Sequence, residues 1–240
     1  MYLTKSRISR EYLRASLRLK TWMQCDWTHA AEIDPYRVLW IHPNQVVTTC
    51  KLISIKGGHF YCRVLDGDWD LTENCFEDRS VSGMLKEHFL NGIPWSDTSC
   101  YQNILRNIEK KGIYWNDCQS ESDVKARCVY LEQLYTSIKD TGYKVPEGLK
   151  YGEAGIITGS VPMEIAVNIG RDGRFIFWDG RHRLMIAKIL DLPMIPVRVV
   201  IRHKHWQDLR DTIVMGNRNN NFSEEFQAYI SHPDISYLLS

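Results

Sequence analysis

The stretch from Ile169 to Ile201 constrains this chain most, because its residue types dictate a change of structure at nearly every step. Glu164 to Ile169 alternates in polarity and faces Arg174 to Trp178 across Arg171-Asp172-Gly173, an Asp-Gly turn of the kind that closes a β-hairpin. Asp179-Gly180 breaks the second strand, and Arg181 to Leu190 then carries apolar residues at helical spacing. Ile195 opens another strand that runs to Ile201, and a further helix spans His203 to Val214. A helix that begins at a glycine turn presents unpaired N–H groups and the positive end of its dipole. Arg181, His182 and Arg183 stand at that start, so the turn reads as an anion site, with phosphate the anion it suits best.

Each residue of the turn has a functional and a plainer role. Arg183 offers bidentate bonds to phosphate oxygens and stays charged at any working pH; its plainer role is a surface ion pair. Gly180 permits close backbone approach and unusual φ, which an ordinary strand-to-helix turn also uses. His182 either donates to a phosphate and shuttles a proton or is a core histidine bonded to a backbone carbonyl. Arg181 faces solvent or substrate, and Asp179 reads as the helix cap in preference to a catalytic group. A second cluster, Asp68-Trp69-Asp70, follows a β-rich segment. Carboxylates at i and i+2 of an extended segment share a side, so Asp68 and Asp70 could hold Mg²⁺ or supply a general base. The alternative is an acidic turn. Arg218, in the amide-rich run Gly216 to Asn221, is a further candidate phosphate contact.

The order strand, Asp179-Gly180-Arg181-His182-Arg183, apolar helix, Ile195-Pro196-Val197-Arg198-Val199 resembles the core of the ParB/sulfiredoxin-like superfamily. The shared pattern is a glycine, two variable residues and an arginine, then a small-residue helix and an Ile-Pro-Val strand; Gly180, Arg183 and Ala187 fall on it. The resemblance covers roughly residues 165 to 200 and implies a nucleotide phosphate resting on the helix start. Arg181 occupies the place of the catalytic cysteine of sulfiredoxins, which removes that chemistry. The segment after His203 is short for a helix-turn-helix domain of the partition-protein type. The turn is nearest to the Gly-His-His-Arg-like turn of free-serine kinases. The resemblance therefore implies a nucleotide-dependent phosphotransferase or NTPase with Mg²⁺ and a nucleoside di- or triphosphate, and a small hydroxylated metabolite as acceptor. In that reading Asp68, Asp70 and His182 are catalytic, and Gly180, Arg181, His182, Arg183 and Arg218 bind phosphate.

Two other function classes stay open: a DNA- or RNA-binding module without catalysis, and a nucleotide-gated switch. The first draws on Arg181, Arg183 and Arg198 together with Thr4 to Met23, where Ile8, Tyr12, Ala15, Leu19 and Met23 recur at helical spacing with arginines away from them. The same pattern also suits a terminal helix docked on the core. A net charge of +1 gives no global field towards nucleic acid or membrane, so any basic site must be local.

The expected organisation is one α+β domain over residues 1–240, with a basic N-terminal helix in 1–30, a helical insertion at 76–145 and the core module at 163–214. Within the insertion, helices are expected around Val81 to Phe89, Tyr101 to Ile108 and Val124 to Ile138, the last capped at Ser120 to Asp123. Tyr36 to Ile41 reads as a strand, Cys50 to Ile55 and His59 to Leu65 as a hairpin, and Pro146 to Pro162 as a lid. Seven scattered cysteines without a Cys-x-x-Cys pair or a signal peptide point to reduced thiols and a cytoplasmic protein. No apolar run approaches the ~20 residues of a membrane span.

Overall fold

Ile195–His203 is the axis of the fold: all nine of its residues are buried, as a Val- and Ile-rich strand with neighbours on both edges requires. The computed structural model describes residues 28–34, 37–50, 63–71, 74–77, 80–143, 165–218 and 224–239. In chain order the elements are β1 Val38–Ile41, β2 Val46–Thr49, β3 Arg63–Leu65, α1 Ser80–Phe89, α2 Tyr101–Lys111, α3 Glu121–Thr141, β4 Ile165–Ile169, β5 Phe175–Asp179, α4 Arg181–Ile189, β6 Ile195–His203, α5 Lys204–Arg218 and α6 Pro233–Ser236. The strands form one sheet in the order β1-β6-β4-β5-β2, with β3 also on β6. β1 pairs antiparallel with residues 195–198 and β3 parallel with 201–203, so the two take successive stretches of the same strand. β4 runs parallel to β6 and antiparallel to β5, and β2 runs parallel to β5. The sheet is mixed, and with its helices the class is α+β. No helix among the described residues is long and apolar enough to cross a membrane.

The hairpin of β4 and β5 closes where Asp-Gly was expected to close it. Gly173 has φ 87° and donates its N–H to the Gly170 carbonyl at 3.0 Å. α4 buries Leu184, Met185, Ile186 and Ala187 and packs against α1, α3 and β4. Met84, Leu85, Ile104, Val124 and Leu131 of the helical block join Val167, Phe177 and Val197 of the sheet in one apolar cluster. The block therefore shares its core with the sheet. α3 starts as its cap sequence implies: Ser120 accepts the Asp123 N–H at 3.2 Å, and the Asp123 carboxylate takes the Ser120 hydroxyl at 2.8 Å and the Gln119 N–H at 3.0 Å.

Two expectations change. After β1 the chain makes a short 3₁₀ turn at Pro43–Gln45 and enters β2 at once, a strand of β-branched residues too brief to stand out in the sequence. β2 and β3 pair with different partners at separate places in the sheet. The hairpin expected of Cys50 to Ile55 and His59 to Leu65 falls largely on residues 51–62, outside the described residues, as do the N-terminal helix up to residue 27 and the expected lid. Gly216, Asn217 and Arg218 are not a loop but the last turn of α5. A glycine costs a helix about 1 kcal/mol relative to alanine. Burial of Ile213 and Val214 in the turn before outweighs that preference, as tertiary packing commonly does.

Candidate anion-binding site

Gly180 takes φ 85° and ψ 31° at the N-cap of α4. A side chain in this left-handed region costs roughly 1–2 kcal/mol, which is why glycine turns the chain here. Asp179 does not cap the helix as expected. Its Oδ1 accepts the N–H of Gly180, one residue on, at 2.7 Å, and no side chain caps α4.

A cavity of about 370 Å³ opens at this helix start. Arg181, His182 and Arg183 line it from α4, and Arg127 of α3 and Arg198 of β6 join them. Asp179 is the one carboxylate among its described lining residues. Trp115, Tyr130, Phe177 and Trp178 supply aromatic wall. Nε of Arg127 and of Arg183, Nε2 of His182 and Nε1 of Trp115 are buried there without a hydrogen-bond partner among the described residues. Such groups cost about 1–3 kcal/mol each when left unmade. Like charges ~8 Å apart repel by about 2 kcal/mol at an effective dielectric near 20. Among the described residues that line it, four guanidinium groups stand with one carboxylate, and the unpartnered nitrogens of Arg127 and Arg183 are ones that an anion would satisfy.

His182 is not a histidine bonded to a carbonyl through Nε2. Burial first, then the positive charges of Arg127 and Arg181, push its pKa down to about 4. At neutral pH it is an uncharged imidazole, with the Trp115 ring edge-on at 6.0 Å. An anion arriving beside it would reverse the sign of the local field and favour its proton.

Asp68 and Asp70 lie not on an extended segment but in the acidic turn that was the alternative, closed by the Leu71 N–H on the Asp68 carbonyl at 3.2 Å, and both bind the guanidinium of Arg171. Arg171 Nη2 donates to Asp68 Oδ1 and to Asp70 Oδ1, each at 2.8 Å. Arg171 Nε lies 3.0 Å from Asp70 Oδ2, which also takes the Arg171 backbone N–H at 2.7 Å. Burial raises the Asp70 pKa and these bonds more than offset it, leaving the carboxyl below its ordinary value. Both oxygens of Asp70 are occupied, so the pair does not fit a Mg²⁺ site as it stands. Among the described residues no three His, Cys, Asp or Glu gather as metal ligands. Nor does the structure bring this pair to the cavity. Arg171 lies in the closed turn of the hairpin and Gly180 beyond its open end, with the five residues of β5 between them, roughly 17 Å at strand rise.

Arg218 also lies apart. It is exposed at the end of α5, with Nη2 3.5 Å from the Ala30 carbonyl, and does not line the cavity. His203, the first residue of His203-Lys204-His205, bonds the Gly67 carbonyl through Nε2 at 2.8 Å and accepts the His205 N–H on Nδ1 at 3.1 Å.

Sequence reasoning missed Arg127 and Trp115, and named Arg198 only as a nucleic-acid contact. A signal existed for two of the three. Arg198 interrupts the apolar run from Ile195 to Ile201, and a buried arginine needs a purpose. Arg127 falls three residues after Val124 and four before Leu131, on the buried stripe of α3. Trp115 gave no such signal. It opens a run of three non-glycine residues at positive φ, 46° for Trp115, 59° for Asn116 and 63° for Asp117. Asn and Asp tolerate this region, but tryptophan does so at a cost. No family model, no curated protein and no solved structure matches this chain.

Proposed function

We propose that this chain binds a nucleotide, or a related phosphorylated small molecule, by its phosphate groups in the cavity at the start of α4, and transfers or hydrolyses the terminal phosphate. The observation that carries the reading is the convergence of Arg127, Arg181, Arg183 and Arg198, from three separate elements, on one small concave space with a single carboxylate among its described lining residues. A surface that tracks a nucleic-acid backbone is open and extended, whereas this one is a pocket with aromatic walls, the usual build of a small-molecule site. The resemblance of the Gly180–Arg183 turn to ParB/sulfiredoxin-like proteins points the same way.

In this reading the arginines hold the phosphate oxygens and spread the charge that builds up as the phosphorus–oxygen bond breaks. The acceptor oxygen, of a hydroxyl or of water, bonds to the terminal phosphorus while the bond to the leaving phosphate oxygen opens. The leaving oxygen keeps the electron pair beside the guanidinium groups. The acceptor's proton passes to Asp179, the carboxylate at the site, so Asp179 takes the base role that sequence reasoning gave to Asp68 or Asp70.

The test is thermal stability of the native chain and of Arg183→Ala against ATP, ADP, CTP, GTP and pyrophosphate. A ligand at a hundred times its Kd adds about 2.7 kcal/mol, a rise in Tm of roughly 5–10 °C for a chain of this size. A rise with the native chain that Arg183→Ala loses supports the reading. A flat panel with the native chain overturns it.

A further inference from the structure

A second cavity, of about 660 Å³, lies against the first, and Val81, Trp115, Asn116 and Arg181 line both. Its chemistry differs. Thr49, Asn74, Cys75, Ser80 and Tyr114 give it neutral hydroxyl, amide and thiol groups, and Arg181 is the only charged residue among the described residues that line it. Two of the shared residues, Trp115 and Asn116, begin the left-handed turn Trp115-Asn116-Asp117. Both of its ends are fixed: Tyr114 donates its N–H to the Cys118 carbonyl at 2.9 Å, and the cap of α3 follows at Ser120. Three consecutive non-glycine residues at positive φ persist only where the surroundings over-determine them. The result is a buried Trp115 Nε1 donor with no partner among the described residues, at the junction of a cationic and a neutral chamber.

We infer that the two cavities are one bipartite site, in which the neutral chamber takes the hydroxylated carbon skeleton of the ligand whose phosphate lies on the arginines. The inference rests on the proposed phosphate reading of the first cavity. The ligand class is a phosphate ester of a polyhydroxylated skeleton, with Trp115 Nε1 donating to a ligand oxygen at the junction. A sugar phosphate and a nucleoside phosphate share that chemistry.

The experiment is calorimetric titration of the full chain with pyrophosphate, ribose 5-phosphate and AMP, repeated with Trp115→Phe and Ser80→Phe. Trp115→Phe keeps a ring and removes the donor. Ser80 is exposed at the first residue of α1, so a phenylalanine there fills the neutral chamber without a buried position being overpacked. Ser80→Phe should leave the Kd for pyrophosphate within about twofold, and both variants should weaken the ester by about tenfold or more, the loss expected for one buried hydrogen bond or an obstructed subsite. Preference for ribose 5-phosphate assigns a sugar phosphate; preference for AMP assigns a nucleoside phosphate. If the native chain binds pyrophosphate but gains nothing from either ester, or if the variants leave ester binding unchanged, the bipartite inference fails and the phosphate reading stands. Binding of none of the three by the native chain overturns both.

Discussion

At the residue scale, two glycines and one histidine carry most of the strain and charge logic. Gly180→Ala places a side chain at φ 85° and should lower stability by about 1 kcal/mol. Gly173→Ala should cost more, because a Cβ there meets the buried Trp206 ring at 2.6 Å as well as sitting at φ 87°. Denaturant midpoints of the two variants check the order, and equal values would contradict it. His182 gives a pH test. Its pKa in the folded chain, about 4, lies below the ordinary 6.5. Between those values the unfolded chain binds more protons, so stability is complete above pH 6.5 and falls as pH drops towards 4. His232, lowered by burial, acts in the same direction. His182→Gln should flatten part of the slope of unfolding free energy between pH 7 and 5. An unchanged slope would mean that the imidazole is not buried in its neutral form.

At the scale of elements, the hairpin of β4 and β5 has one end for structure and the other for ligand. Asp70 ties the loop after β3 to the closed end through Arg171, and Arg174 Nη2 adds a bond of 2.6 Å to the Asp70 carbonyl. Asp70→Ala should destabilise the chain by about 2 kcal/mol, the loss of charge-assisted bonds at a site where Arg171 still reaches water. It should leave the affinity for pyrophosphate unchanged, and a Kd that moved with it would place the carboxylate at the site after all. This division shows what the sequence could and could not disclose. The elements of the core module were legible because their signals are local: the Asp-Gly turn, the glycine before the Arg181 helix, the Ser120 cap. Arg181, His182 and Arg183 were legible for the same reason. The partners of Asp68 and Asp70 were not, since Arg171 is about a hundred residues away and reaches them only through the pairing of β3 and β4 with β6. Arg127 needed the packing of α3 against α4 before its place in the cavity could be seen.

Across the whole molecule, the C-terminal segment locks the sheet to α5. Asp234 is fully buried and takes Arg202 Nε at 2.9 Å, Arg202 Nη2 at 2.5 Å and the Trp206 Nε1–H at 3.0 Å; Arg210 Nε donates to its backbone carbonyl at 3.0 Å. Burial raises its pKa, but the two guanidinium groups win and hold it at about 2. Its contribution is therefore present above the ordinary carboxylate value and lost as pH falls from about 3.8 to 2. Asp234→Ala leaves two buried arginines uncompensated and should cost roughly 3–5 kcal/mol, enough to unfold a domain of ordinary stability. Thermal unfolding of that variant checks the figure, and a Tm within a degree or two of the native chain would refute it.

The claim at the centre of this account is that the fold, and not the helix-start motif alone, assembles one anion site. Arg127 tests it most directly, because it comes from α3 and has no place in the motif. Calorimetric titration of pyrophosphate into the native chain and into Arg127→Ala is the measurement. Loss of a charge-assisted contact should weaken binding by about tenfold to a hundredfold. An unchanged Kd in Arg127→Ala, with the native chain binding, would contradict the convergence of the arginines on a common ligand.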